Sequence, residues 1–145
     1  LDKKTGIIKL DRVIASAVYY PGNYGFLPQT LGEDGDPLDV LVVSQIAFHP
    51  GIFLEAVPIG GVHMLDGDDV DDKIICVPVS DPKFCDITEL KQLPKNTQQE
   101  IQEFFRVYKN LEGKKVHING QFVKAKAQSI ILQGIKSYQK SFPRF

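Results

Sequence analysis

The sequence predicts a mainly β domain with added α-helix, in which roughly five short strands close a small barrel and two helices pack outside it. Three observations lead there. Short apolar runs separated by turn residues recur through the first two thirds of the chain, at Ile7–Leu10, Leu38–Val43, Ile52–Val62 and Ile74–Val79. Pro58 and the Gly60-Gly61 pair interrupt the longest run, as residues do at bulges and barrel corners. Downstream, the apolar spacing changes from strand-like to helical. Strands first and helices last, in a chain of 145 residues, fit a single domain built as a closed five-stranded barrel of the OB-like kind.

Taken in order, Asp2-Lys3-Lys4-Thr5-Gly6 reads as the turn of a hairpin across Leu1–Arg12, with Ile7, Ile8 and Leu10 on its second arm. Ile14–Tyr20 is a second short apolar segment, leading into a stiff loop of tyrosines, Pro21 and Gly22 that ends near Pro28. Leu38–Val43 is continuously apolar and β-branched, as in a strand buried on both faces. Ile74–Val79 is a further strand, and residues 82–93 are irregular. Thr97-x-x-Glu100 matches a capping box, placing a helix start at Pro94 or Thr97. Ile101, Phe104, Phe105, Tyr108 and Leu111 recur at helical spacing until Glu112-Gly113 stops the helix. Val116 and Ile118 predict a short strand, Asn119-Gly120 a turn, and Ala127 to Tyr138 the buried face of a second helix. The tail, 141–145, is expected to be loose.

Composition narrows the functional classes. A net charge of -1 argues against broad electrostatic binding of nucleic acid. Cys76 and Cys85 form neither a disulfide framework nor a CxxC pair, so both read as structural thiols in a reducing compartment. No apolar run approaches the roughly 18 residues of a membrane span, and a cytoplasmic protein with no membrane partner is expected. The chain opens on Leu1, so the domain over 1–145 is expected to be missing an N-terminal segment. His49, His63 and His117 lack ligand spacing and read as structural.

The chemistry concentrates in Asp34-Gly35-Asp36-Pro37-Leu38-Asp39-Val40. Gly35 permits a tight turn and Pro37 fixes its own φ, so three carboxylates can converge at the mouth of a strand. At ~4 Å and an effective dielectric of ~20, each ionised pair repels by roughly 4 kcal/mol, a load that a hard divalent cation relieves. By itself the stretch reads first as a plain turn, and the residues that accompany it lift it above that reading. An EF-hand is excluded, because the twelfth position counted from Asp34 is Gln45. A second acidic loop, Asp66 to Lys73, carries five more carboxylates at another strand mouth. Arg12, Lys73 and Lys109 with the tyrosines add donors for phosphate oxygens; singly, Arg12 is a surface charge, Tyr108 a core ring and Lys109 a helix-dipole complement. Together the set suits a small polyanion carried as its magnesium salt.

These motifs, with Asp11-Arg12, Tyr20-Pro21-x-Asn23-Tyr24-Gly25 and Phe104-Phe105-x-x-Tyr108-Lys109, resemble those of the soluble family I inorganic pyrophosphatases over almost the whole chain. The resemblance implies Mg²⁺-dependent hydrolysis of pyrophosphate to two orthophosphates by a metal-activated water. It makes Asp34, Asp39 and Asp71 ligands of the tightest Mg²⁺, with Asp39 bridging to a second ion. Asp66 and Asp71 would hold a further ion that arrives with substrate. Asp36 is implied as general base, Tyr24 as its neighbour, and Arg12, Lys73, Tyr108 and Lys109 as phosphate-binding residues. It also implies a homohexamer, or alternatively a homodimer. Family members carry a Lys and a Glu just upstream of Leu1-Asp2-Lys3, and some have a Glu where this chain has Gly67. A nucleic-acid-binding module would need a basic groove in place of acidic strand mouths. A catalytically inactive family member serving as a binding subunit is the other alternative.

Overall fold

The computed structural model describes Asp2 and residues 4–143. Six strands, β1 (Asn23–Phe26), β2 (Asp39–Val42), β3 (Ala56–Asp66), β4 (Asp69–Val70), β5 (Lys73–Pro78) and β6 (Val116–Val123), form one mixed sheet with helices α1 (Lys95–Val107) and α2 (Lys124–Ser141). β2 runs parallel to β5 and antiparallel to β1, while β3 pairs antiparallel with β4, β5 and β6.

Strand alternation divides the core. Leu41, Ile75 and Val77 join Ile101, Phe104, Phe105 and Tyr108 from α1, whereas Val40, Val42, Ile74 and Cys76 meet Ala127, Ile130 and Ile131 from α2. β2 and β5 are therefore apolar at consecutive positions because a helix covers each side of them, as the continuous runs predict. The Cys76 thiol, pushed up to about 12 by burial, is an inert core group.

Several local expectations are corrected. Among the described residues the ladders do not close a five-stranded barrel: β1 pairs with β2 and β6 with β3, and no ladder joins β1 to β6. The expected turn near the N-terminus forms, with the Asp2 carboxylate accepting from the backbone N–H groups of Lys4 and Thr5. No strand follows it, because Ile7, Ile8 and Leu10 lie exposed with no sheet edge to pair with. Leu1, Lys3, Arg144 and Phe145, parts of the hairpin and tail readings, fall outside the described residues. The third apolar run enters the sheet only at Ala56, and its register shifts between Pro58 and Gly60, where a bulge is expected.

Asn119-Gly120 is not a turn. β6 runs through it, and the register shift opposite Val62 and Met64 is absorbed there, with Gly120 at a φ of 108°. Helix α1 starts at Lys95 behind Pro94, so Thr97 and Glu100 lie inside it; the capping box belongs to Glu89 and Gln92 on a 3-10 turn just upstream. α1 ends at Val107, followed by a 3-10 turn at Asn110–Glu112 and the left-handed Gly113, which leaves Leu111 exposed. Ser141 closes α2 instead of opening a loose tail.

Candidate active site

Pairing direction assembles the site. Asp39 opens β2 and Lys73 opens β5, and the parallel register that sets Val40 beside Ile74 makes them neighbours. β3 runs the other way, so Asp66, its last residue, reaches the same end of the sheet. Two acidic loops remote in sequence thus meet at one rim.

At that rim the ammonium of Lys73, a residue only 1% exposed, lies 2.5 Å from Asp39 Oδ2 and 2.5 Å from Asp71 Oδ1, and 3.5 Å from the Tyr24 hydroxyl. Burial alone would lower the Lys73 pKa, but the two carboxylates outweigh it and hold it above its ordinary value. Asp71 moves up because its burial exceeds what Lys73 returns. Burial, reinforced by Asp39, drives the Tyr24 phenol far above its usual range, so it remains a donor.

A second cluster sits beside the first. Lys109 Nζ donates to Asp66 Oδ2 at 2.6 Å, and this bond holds the Asp66 carboxyl below the usual carboxylate range. The same ammonium lies 5.1 Å from the centre of the Tyr108 ring, which stacks on Phe104 and meets Phe105 edge-on. Burial raises the Tyr108 phenol as well. Tyr20 packs between Tyr24 and Phe104, with ring centres 4.7 and 4.4 Å away, and burial pushes its phenol up to about 12. The charges of Asp39, Arg12 and Lys109 all act on that hydroxyl, which ties the two clusters together. Arg12 is anchored by Glu112 at 3.7 Å, beyond the end of α1.

Asp34 and Asp36 stand on the outer loop. Asp34 Oδ1 accepts the Asp36 backbone N–H at 3.0 Å, and Gly32 N–H donates to the Asp36 carbonyl at 2.7 Å, a tight turn that needs Gly35 at a φ of 84°. Asp34, Asp39 and Asp71 line one cleft of about 260 Å³, walled on its far side by Lys126 and Ile130 of α2.

Asp39, Asp71, Lys73 and Tyr24 are therefore in direct contact, Asp66, Lys109 and Tyr108 form the flanking cluster, and Asp34 shares the cleft. Among the described residues no three His, Cys, Asp or Glu side chains already converge as a ligand cage. Asp34, Asp36 and Asp39 are thus not drawn into one cluster: Lys73 offsets the charges of Asp39 and Asp71, and Lys109 that of Asp66, while Asp34 and Asp36 stay on the outer loop. Sequence reasoning passed over Asp72 and His63, whose side chains bond at 2.5 Å on the cleft wall, and Glu112, which holds Arg12. For His63 the signal was its place across from the acidic loop, which only the strand register makes visible.

The comparisons fit this geometry. The family model described as inorganic pyrophosphatase matches residues 1–139. Soluble inorganic pyrophosphatase 3 of Arabidopsis thaliana is 54% identical over 119 residues, covering 82% of this chain and 55% of the relative. The chain thus spans just over half the length of the Arabidopsis proteins it matches. An inorganic pyrophosphatase of Halalkalibacterium halodurans is 44% identical over 131 residues, 90% of this chain and 80% of that protein. The solved inorganic pyrophosphatase of Helicobacter pylori superposes with a TM-score of 0.92 at 41% identity, covering 96% of this chain and 84% of its own. Whole-chain match, sequence identity and shared fold agree, and the chain belongs to the inorganic pyrophosphatase family.

Proposed function

We propose that this protein hydrolyses inorganic pyrophosphate to two orthophosphates in a Mg²⁺-dependent reaction. The observation that carries the reading is the Lys73 ammonium held between Asp39 and Asp71 within reach of the Tyr24 hydroxyl, with Lys109 on Asp66 beside it. Carboxylates and cationic groups alternate there over a few ångströms, the arrangement a magnesium–polyphosphate ligand requires.

The donor set fits Mg²⁺. Asp34, Asp39, Asp66 and Asp71 offer oxygen only and remain partly open to solvent, which suits a hard cation that keeps some of its water. When bound, such ions lower the pKa of a coordinated water and neutralise charge on the phosphates. The chain's own groups do the rest. Lys73 and Lys109 exchange a carboxylate partner for phosphate oxygens, while Arg12 and the Tyr108 hydroxyl add directional donors. Asp36, exposed on a turn tied by Asp34, is the general base, and the Tyr24 phenol, protonated at neutral pH, is a donor that stands with Lys73 and Asp39. The aromatic wall of Tyr20, Phe104 and Phe105 holds these donors in place as the ligand enters.

No helix among the described residues is long and apolar enough to cross a membrane. A cytoplasmic homohexamer, or alternatively a homodimer, that binds no nucleic acid completes the proposal. The test is phosphate release from pyrophosphate with Mg²⁺ and with EDTA, alongside Asp36→Asn. Release that needs Mg²⁺ and drops by roughly a hundredfold or more in the variant supports reaction and base together. Release unaffected by EDTA would overturn the metal dependence, and an active variant would remove Asp36 from its role.

A further inference from the structure

Outside the groups assigned above, the cleft wall carries a pairing that the proposed chemistry leaves unused. The antiparallel register of β3 and β5 ends at Val62 opposite Lys73, and that of β3 and β4 begins at Leu65 opposite Val70. Carried across this gap, the same register sets His63 opposite Asp72 and Met64 opposite Asp71. The gap is closed by other bonds. Asp71 N–H donates to the Met64 carbonyl at 2.9 Å, and Asp72 Oδ1 accepts from His63 Nδ1 at 2.5 Å and from the Met64 backbone N–H at 3.3 Å. The Asp72 side chain is only 12% exposed, so its charge relies on these donors.

The position of this clasp matters. It lies where the acidic hairpin leaves the sheet, one residue before Lys73 and one after Asp71, so it sets the backbone that aims the Asp71 carboxylate at the Lys73 ammonium. We propose that His63 and Asp72 form a cross-strand latch whose task is to hold the 65–72 hairpin so that Asp71 is presented to the cleft in a metal-binding orientation. His63 and Asp72 are positioning residues, and the assignment rests on the pyrophosphatase reading for what Asp71 then binds. Groups that orient a ligating carboxylate typically change metal affinity or activity by roughly 10–100-fold when removed. A pair that merely added stability would shift the unfolding midpoint and leave affinity alone.

The test compares the wild-type protein with His63→Ala and with His63→Asn, whose amide can donate from nearly the same place as Nδ1. Three quantities are read: Mg²⁺ affinity by calorimetry without substrate, hydrogen exchange at the Asp71 amide, and pyrophosphate hydrolysis at subsaturating Mg²⁺. The expected result for His63→Ala is a roughly tenfold weaker Mg²⁺ affinity, faster exchange at Asp71 and a matching fall in kcat/KM, all largely restored in His63→Asn. Unchanged affinity and exchange in His63→Ala, or a change in the unfolding midpoint alone, overturns the latch. If His63→Ala does not fold, His63→Leu, which fills the ring's space without a donor and leaves the charge of Asp72 in place, is read under the same criteria. Should the wild-type chain release no phosphate, the pyrophosphatase reading fails, while affinity and exchange still decide the latch.

Discussion

Lys73 Nζ lies 2.5 Å from Asp39 Oδ2 because the two residues open neighbouring parallel strands, β5 and β2, at the same edge of the sheet. The second carboxylate on that ammonium, Asp71, comes from the loop that immediately precedes β5. Lys73 thus works as an internal counter-ion for two carboxylates that are 30% and 19% exposed.

Replacing it should expose the repulsion it masks. Lys73→Met leaves Asp39 and Asp71 without their shared partner, and a loss of about 3 kcal/mol is expected in metal-free protein. Added Mg²⁺ should recover part of that loss by taking over the balancing charge. Urea unfolding with Mg²⁺ and with EDTA measures both effects; an equal loss under the two conditions would mean that the ammonium does not offset these carboxylates.

Asp39→Asn probes the same balance from the other side. The amide removes a charge that the proposed reading sets against two cations, so Mg²⁺ should bind at least roughly tenfold more weakly, by calorimetry or by the Mg²⁺ dependence of phosphate release. Unchanged magnesium dependence would refute the bridging role of Asp39.

Acid stability should carry the mark of Asp66. Its pKa is depressed in the folded protein by the Lys109 bond, so it contributes stability above the ordinary carboxylate value of 3.8, and that contribution disappears as pH falls through the lower folded value. Asp71 acts in the opposite sense: its pKa is raised by burial, and the cost of its charge is relieved on acidification. The wild-type protein should therefore exceed Asp66→Asn in stability by up to about 1 kcal/mol at neutral pH, with the difference closing in strong acid. Metal-free denaturation curves across this range test the sign, and a gap that widens on acidification would contradict it.

Close packing behind the site gives a prediction independent of charge. A Cβ at Gly61 would sit 2.2 Å from the Phe122 ring and 2.6 Å from the Lys73 carbonyl oxygen, and the carbonyl belongs to a central strand that cannot give way. Gly61→Ala should cost about 1–3 kcal/mol and displace the start of β5, lowering stability and activity together. Thermal unfolding of the variant, with a midpoint within a degree of wild type, would show that the sheet accommodates the methyl.

The sequence by itself determined the central strands, one helix face and where the charge gathers. Continuous apolar runs at Leu38–Val43 and Ile74–Val79 mark strands covered on both sides, helical spacing through Ile101, Phe104, Phe105 and Tyr108 marks one face of α1, and turn residues gather Asp34, Asp36 and Asp39 at a strand mouth. These features are local, since residues a few positions apart are constrained by backbone geometry alone. The tertiary structure decided how they meet. Only strand direction and register bring Asp39 to Lys73, set His63 across from Asp72 and carry β6 straight through Asn119-Gly120. It also left Ile7, Ile8 and Leu10 without a strand, because an extended segment becomes one only where a sheet edge offers it hydrogen-bond partners.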